Sequence, residues 1–439
     1  MNATIPQVAD TMQTILTTVA DEAARETGFT ERASKMTGAR FVQTLVFGWM
    51  ADPQATLDAL SQTAATLGVT ITAQGVDERF SEQSAALLQQ VLQAAVAAVL
   101  AAEPVAIPLL RRFAGVYVMD SSTITLPPEL AKVWRGCGGR PGEGTAAVKL
   151  QVGLELTTGA LDGPELHHGR TSDRSTRQQQ AARPRGSLRL ADLGYFNLDV
   201  LDDQHQQGAF WLTRVQAGTV IADAAGQRLD LPHWLAQQGN QVDYAVRLGA
   251  QHQLPCRLLA VRVAAGTANE RRRQLRKEAR RRGQAVSRER LALADWNIWV
   301  TNVPAAWLTL AEALVLARVR WQIEMLFRLW KNQGQIDEWR SQKPWRILTE
   351  VYAKLLIMVV QHWFFLVSCW AYPDRSLQKA AQTVRKHALH LACALVAGLD
   401  RLVEALGVIQ RCLASGCRIN KSKAQPHAYQ LLLAPERLT

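Results

Sequence analysis

The chain has 439 residues, of which 48% are hydrophobic and 20% are charged, a composition that excludes an intrinsically disordered chain. Fifty Lys and Arg residues against 38 Asp and Glu residues give a formal net charge of +12. A basic surface favours polyanions, because each neutralised phosphate releases condensed counterions. Charge alone leaves a nucleic-acid-binding protein and a merely basic soluble protein equally open.

Residues 1–105 are predicted to form a helical region that binds DNA. Apolar residues recur there at helical spacing around 41–49 and 87–96. Between them, a turn at 67–70 precedes a helix expected to start near Thr72, as in a helix-turn-helix that presents its second helix to DNA. A plain helical hairpin fits the same pattern, so both interpretations stay open. The N-terminus shows no basic stretch followed by an apolar one, so we expect no signal peptide and a cytoplasmic protein.

Residues 106–215 change from helical to strand-like periodicity after Glu103-Pro104. The strand-like segments are 116–119, 149–156, 164–168, 188–190 and 210–215. Three such segments, a connection and two more predict a mixed α/β sheet.

Residues 216–299 are predicted to be a β-rich insertion of short antiparallel strands. The insertion carries a basic cluster of ten residues: Arg271, Arg272, Arg273, Arg276, Lys277, Arg280, Arg281, Arg282, Arg288 and Arg290. A second basic stretch precedes it: Arg170, Arg174, Arg177, Arg183, Arg185 and Arg189. Two Arg-rich runs suit phosphate contacts, because the guanidinium can bind phosphate through two parallel bonds.

Residues 300–372 are predicted to return to the sheet domain through a long amphipathic helix near 308–331 and another from 345 to 370. The segment 351–371 is strongly apolar but contains Lys354, Gln361 and His362, which are costly at membrane depth. We therefore expect a buried core helix and no membrane association. Residues 373–439 are predicted to be helical and basic.

Three acidic residues are the candidates for chemistry. Asp120 and Asp192 follow apolar strand-like runs, and an acid at a strand end lies at the rim of a sheet. Glu324 lies on the amphipathic helix, where an ion pair with Arg320 or Arg328 would also explain it. Three carboxylates can hold Mg²⁺, which prefers hard oxygen ligands.

The spacing of Arg320, Glu324 and Lys331 resembles the signature of the insertion-sequence-4 family of DDE transposases. In that signature, Tyr is followed after two residues by Arg, after three more by Glu and after six more by Lys; the Tyr position is Ala317 here. Further segments are similar to the family in the same order: DSST at 120–123, DLGYF at 192–196, TNVP at 301–304 and RILTEVYAK at 346–354. The resemblance covers roughly residues 30–400.

The resemblance implies an α/β fold: a ribonuclease H-like mixed sheet interrupted by an antiparallel β insertion, with helical N- and C-terminal regions. It implies that Asp120, Asp192 and Glu324 bind two Mg²⁺ ions, with Mn²⁺ as a possible substitute. Arg320 and Lys331 would contact DNA phosphates, and the missing Tyr at position 317 removes one such contact.

The resemblance also implies cut-and-paste transposition through a DNA hairpin, by a nucleoid-associated bacterial protein that is a dimer when two ends are paired. The partner would be double-stranded DNA, both inverted-repeat ends and target. A tryptophan of the insertion would stack on a flipped base. Trp296 is the first candidate for this role and Trp299 the second. For Trp296, a position in the core of a β-strand is an equally good explanation. The proposed DNA-contacting arginines of the insertion are Arg271, Arg272, Arg273, Arg280, Arg281 and Arg282.

Two other classes of protein stay open at this point. An inactive or domesticated DNA-binding protein derived from a transposase would fit the Ala317 departure, although Asp120, Asp192 and Glu324 are all intact. A metal-dependent nuclease without strand transfer would use the same three acids.

Overall fold

A computed structural model describes residues 3–32, 35–138, 144–419 and 427–435. Helices dominate its first and last thirds, as the sequence predicts. The helices of the described residues, in chain order, are α1 (Ile5–Thr14), α2 (Ala20–Glu26), α3 (Gly38–Ala51), α4 (Leu57–Thr66), α5 (Ala73–Asp77), α6 (Glu82–Ala97), α7 (Pro108–Arg111), α8 (Arg177–Gln180), α9 (Leu198–Gln206), α10 (Leu231–Ala236), α11 (Ala265–Arg281), α12 (Arg288–Ala292), α13 (Leu310–Val319), α14 (Gln322–Gly334), α15 (Pro344–Ser368), α16 (Leu377–Lys386), α17 (Ala388–Ala397), α18 (Leu399–Gly416) and α19 (Ala428–Leu433).

The strands fall between α7 and α13, where the periodicity of the sequence changes. They are β1 (Val116–Leu126), β2 (Ala146–Glu155), β3 (Leu161–His168), β4 (Leu188–Ala191), β5 (Phe210–Arg214), β6 (Ile221–Ala222), β7 (Gln241–Leu248), β8 (Leu254–Arg262) and β9 (Trp296–Thr301). The predicted mixed α/β fold with an antiparallel insertion and helical ends is confirmed, and it is consistent with a ribonuclease H-like fold.

The chain divides into two compact units. The helical unit comprises Met1–Ala106, Asp120–Thr171 and Gln322–Tyr429, and the sheet unit comprises Ile107–Met119, Ser172–Trp321 and Gln430–Thr439. The N-terminal and C-terminal helices, which the sequence suggested as separate regions, belong to the same unit.

The sheet unit is built on strands in the order β1-β4-β5-β9-β8-β7-β6. β1, β4 and β5 run parallel, with Val118 opposite Leu190 and Leu190 opposite Leu212. From β5 onward the neighbours β9, β8, β7 and β6 are antiparallel. The antiparallel strands therefore extend the sheet of the parallel ones, around a core that includes Trp211, Leu258 and Val300.

The helical unit packs around α15, whose 25 residues are almost all buried. α15 lies against α3, α6, α14 and α18, and the β2–β3 hairpin belongs to the same unit. Among the described residues α15 is the one helix long and apolar enough to cross a bilayer, and 94% of its most apolar window is buried inside the protein. This matches the predicted core helix.

Polar side chains on α15 bond to other parts of the helical unit. The Thr349 and Ser84 hydroxyls lie 2.9 Å apart, which joins α15 to α6. The Trp134 indole N–H donates to the Tyr352 hydroxyl (2.7 Å). His362 Nε2 lies 2.7 Å from the carbonyl oxygen of Gly159, and because a carbonyl only accepts, this nitrogen carries the proton. Buried polar groups need such partners, so α15 fixes the elements that supply them.

Two local features, near Asp120 and near Glu324, differ from the expectation. β1 continues through Ser121–Leu126, so Asp120 lies inside the strand and not at its end; the alternating Thr123, Ile124 and Thr125 suit a pleated strand. The predicted long helix around Glu324 is two helices, with Arg320 and Trp321 in a turn between α13 and α14.

The helix expected near Thr72 exists, with the Thr72 side chain accepting from the Gly75 N–H. However, α5 has only five residues. That is little more than one turn, so α4 and α5 form a shorter element than a usual helix-turn-helix.

The buried imidazole of His362 predicts an acid-sensitive stability. Burial lowers the pKa of His362 to about 4, whereas an unfolded histidine titrates near 6.5. Between these values the unfolded chain binds a proton that the folded chain does not, so stability falls as the pH falls. Between about pH 6.5 and 4, the unfolding free energy of the wild type should fall by about 3 kcal/mol more than that of the His362→Gln variant. Denaturant unfolding of both proteins across this range measures the difference; identical pH profiles would contradict the prediction.

Candidate functional site

The parallel strands β1 and β4 bring the residues before Asp120 and Asp192 side by side. Val118 lies opposite Leu190, and the next residues, Met119 and Ala191, pack together with Tyr195 in one buried cluster. Asp120 directly follows the first of these residues, and Asp192 directly follows the second. Both acids are partly exposed.

Each of the two aspartates has a defined local backbone. The Ser121 N–H donates to the Asp120 carboxylate (2.8 Å). The carbonyl of Asp192 accepts from the Tyr195 N–H (3.0 Å), which closes a short 3₁₀ turn over Leu193–Tyr195. The DLGYF segment is therefore a tight turn with Tyr195 and Phe196 buried.

A buried arginine network supports this turn within the sheet unit. Arg189 is 1% exposed and donates to the Gln179 side-chain oxygen and to the Met119 sulfur. Gln179 in turn donates to the carbonyl of Tyr195 (2.9 Å). Burial, together with the nearby charge of Arg183, lowers the pKa of Arg189 to about 9.

In the sequence, Arg189 belongs to a basic stretch suited to phosphate contacts, and for this residue the prediction is wrong. Its side chain is buried inside the sheet unit, where no phosphate reaches it. The sequence signal was available: Arg189 stands between Leu188 and Leu190 in a central strand.

Glu324 lies in the first turn of α14, where a carboxylate is stabilised by the helix dipole. Its neighbours Ile323, Leu326 and Phe327 are buried, whereas Glu324 itself is partly exposed. α14 lies against β2 in the helical unit. The side chain is therefore presented at the start of a well-packed helix.

The two cations of the signature occupy different elements. Arg320 follows α13 directly, and Lys331 lies in the last turn of α14. The Lys331 ammonium lies 3.5 Å from the Asp337 carboxylate, and its side chain is 36% exposed. Within the described part of the chain, no three His, Cys, Asp or Glu side chains converge closely enough to hold one metal ion.

The basic cluster of the insertion forms the helix α11, which has two different faces. Arg271 donates to the Trp296 carbonyl (3.2 Å) and to the Asn297 side chain (2.7 Å). Arg272 pairs with Asp295 (2.6 Å) and donates to the Leu291 carbonyl (3.1 Å). Through these bonds the two arginines hold α11 against β9 and against the residues just before β9.

The opposite face of α11 is exposed and cationic. Its basic residues are three or four positions apart, which places them on one side of a helix. They are Arg273, Arg276, Lys277, Arg280 and Arg281, all exposed, and we call them the cationic face. Arg282, at the end of the helix, pairs with Glu278 (3.1 Å).

The two candidate tryptophans differ in accessibility. Trp296 is 5% exposed and packs in a core cluster with Leu235, Val242 and Ala260. Trp299 is partly exposed, with the Arg214 guanidinium 5.9 Å from its ring centroid. Trp296 thus occupies a core position, which is one of the two alternatives that the sequence left open, and Trp299 is the more accessible of the two rings.

Comparison with known proteins gives one family. The model of the family described as "Transposase DDE domain" matches residues 111–360. The chain is 26% identical over 399 residues to the transposase for insertion sequence element IS231F of Bacillus thuringiensis subsp. israelensis, covering 85% of this chain and 81% of that protein. It is 24% identical over 269 residues to the transposase for insertion sequence element IS1151 of Clostridium perfringens, covering 56% of each.

The two faces of α11 predict different mutational effects on stability. Arg272→Ala should lower the free energy of unfolding by about 1–2 kcal/mol, because it leaves the Leu291 carbonyl and Asp295 without their donor. Arg280→Ala on the cationic face should change it by less than about 0.5 kcal/mol. Denaturant unfolding measures both; an equal loss in the two variants would contradict the assignment of the faces.

Proposed function

The chain belongs to the DDE transposase family, since the model of that family's domain matches more than half of it, and from this premise we propose that it excises and inserts an insertion sequence by cutting and rejoining DNA. Asp120, Asp192 and Glu324 carry the chemistry. Double-stranded DNA, both the inverted-repeat ends and the target, is the substrate.

The parallel register of β1 and β4 is the observation that carries this proposal. Met119 and Ala191 pack in one buried cluster of the sheet unit, and this supports a common role for Asp120 and Asp192, the residues that follow them in the sequence. Glu324 adds a third carboxylate at the start of α14.

Although the three side chains do not converge on one ion among the described residues, the chemistry of their donor atoms suits a divalent metal. Carboxylate oxygens are the hard ligands that Mg²⁺ and Mn²⁺ prefer, and DDE transposase domains use divalent metal. We assign Asp120, Asp192 and Glu324 as the ligands of two such ions. When bound, the ions would help to activate a water or 3′-hydroxyl and to stabilise the leaving oxygen of a phosphodiester.

The remaining residues of the signature bind and orient the DNA. Arg320 and Lys331 contact phosphates beside the scissile bond, through charge-assisted hydrogen bonds. Trp299 stacks on the base that is flipped out as the hairpin forms, which its partial exposure allows. Pairing of two DNA ends then requires at least two copies of the chain.

An inactive DNA-binding derivative of a transposase is the second candidate. The observation that favours it is Ala317, which lies in α13 where the family signature has Tyr. A nuclease that cuts without joining is the third. All three would bind DNA, so only the reaction products separate them.

The first test of this function is the Glu324→Gln variant. The substitution keeps the size of the side chain but removes a negatively charged ligand, so strand cleavage of end-containing DNA with Mg²⁺ should fall by at least about 100-fold, the scale of losing one essential group. Binding of the same DNA should persist. Glu404→Gln, on the exposed surface of α18, is the control and should cleave normally.

Cleavage and strand-transfer products on gels distinguish the outcomes. Unchanged cleavage by Glu324→Gln would remove Glu324 from the site. Wild-type protein that binds but never cleaves would favour the inactive derivative. Cleavage without joined product would favour the nuclease.

The second test concerns the cationic face of α11, which we propose lies along a DNA backbone. The Arg273→Gln, Arg280→Gln, Arg281→Gln triple variant should reduce the slope of log affinity against log salt by roughly 2–3, since each phosphate contact contributes about 0.9. The matched triple Lys variant keeps the charges and should keep the slope. Binding isotherms at several salt concentrations measure it; an unchanged slope in the Gln variant would show that this face does not touch DNA.

A further inference from the structure

A buried ion pair lies within the helix α15. The Lys354 ammonium is 2.7 Å from the Glu350 carboxylate, one turn earlier, and the two side chains are 1% and 5% exposed. Removing two charges from water is costly, and such a pair gains little stability over apolar residues of the same size. Stability alone therefore does not explain the pair. The other hydrogen bonds of Lys354 indicate a function for it.

Lys354 reaches out of α15 to the segment that follows α14. Its ammonium donates to the carbonyl oxygens of Gln335 (3.2 Å) and Glu338 (2.7 Å). Together with Glu350, these bonds use all three protons of the ammonium. Carbonyls after a helix lack helical partners, and a cation there also matches the negative end of the helix dipole. Lys354 is thus the cap of α14.

The segment Gln335–Glu338, which we call the post-helix turn, is held in an unusual conformation. Gln335 has a φ of 47°, in the left-handed region that side chains other than glycine rarely adopt. Its N–H donates to the carbonyl of Lys331 (3.1 Å), and Ile336 is fully buried. Gln54 also donates to the side chains of Gln335 and Glu338. The turn therefore keeps this shape through bonds from outside it.

The post-helix turn carries the acid that faces Lys331. Asp337 lies between the two carbonyls that Lys354 binds, and its carboxylate is 3.5 Å from the Lys331 ammonium. Both side chains are about one-third exposed, so the lysine stays accessible while its position is constrained. Fixing the turn fixes Asp337, and Asp337 orients Lys331.

We propose that Lys354, neutralised by Glu350, is a positioning residue for DNA binding: it holds the post-helix turn so that Lys331 is oriented toward a DNA phosphate. This inference rests on the proposed phosphate contact of Lys331. It adds that the contact depends on a lysine buried in α15, which itself touches no DNA.

The test is a double-mutant cycle on DNA affinity, measured across salt concentrations with the full-length protein and end-containing duplex. One variant is Lys331→Ala. The other combines Glu350→Gln with Lys354→Met, which removes both charges together so that neither is left buried alone. Lys331→Ala should reduce the salt slope by about 0.9, one phosphate contact. The paired substitution should reduce the slope equally, and adding Lys331→Ala to it should cost no more than about twofold in affinity.

Additive losses in the combined variant would overturn the proposal, because they would show that Lys354 acts independently of Lys331. An unchanged slope in the paired variant would overturn it as well. Hydrogen exchange checks the mechanism: amides of the post-helix turn should exchange faster in the paired variant, and unchanged exchange there contradicts the capping role. Thr349→Val, which removes a different buried bond of α15, is the control and should leave the slope unchanged.

If the paired variant does not fold, Gln54→Ala tests the same claim from the other side of the turn. It removes the outer bonds to Gln335 and Glu338 without touching the core. In a Lys331→Ala background, Gln54→Ala should have no further effect on the salt slope of DNA affinity. An additive loss contradicts the proposal. Failure of the proposed transposase activity is a separate result, since it would appear as wild-type protein that does not cleave DNA ends.

Discussion

The helical unit depends on one constraint: polar groups on a buried helix must find hydrogen-bond partners away from water. α15 is buried along nearly its whole length and still carries Thr349, Glu350, Tyr352, Lys354 and His362. Each of these side chains bonds to a partner, and all but Glu350, which pairs with Lys354 in the same helix, reach a different element. Apolar packing is non-directional, whereas these bonds tie named positions of α15 to named partners.

Two of those bonds hold segments that follow the elements carrying acids of the proposed site. Tyr352 accepts from Trp134, which follows β1 and therefore Asp120 along the chain. Lys354 bonds to the turn that follows α14, and Glu324 lies in the first turn of that helix. Burial raises the pKa of Tyr352, so its hydroxyl stays protonated at neutral pH. In the sheet unit the Arg189–Gln179 network has the same role for the turn that follows Asp192. Buried polar contacts therefore hold a segment that follows each acid along the chain.

The sequence predicts the strands well, because their apolar alternation reports directly on which residues are buried. β4 and β5 end within one residue of the expected bounds. Periodicity could not reveal the turn at Arg320 and Trp321, since both flanking helices keep apolar residues at helical spacing. It also could not separate Arg271 and Arg272 from the cationic face of α11. Their partners, Asn297 and Asp295, lie more than twenty residues away, and only tertiary structure brings them together.

Asp120, Asp192 and Glu324 are proposed to hold the divalent metal of one site, and metal-directed cleavage of the chain tests this most directly. Fe²⁺ with ascorbate and peroxide breaks the backbone next to the bound ion, and Fe²⁺ occupies carboxylate sites that take Mg²⁺. The account predicts fragments that end near residues 120, 192 and 324 together, all suppressed by excess Mg²⁺ and lost in Glu324→Gln. Cleavage restricted to one of the three segments, or placed elsewhere in the chain, would contradict it.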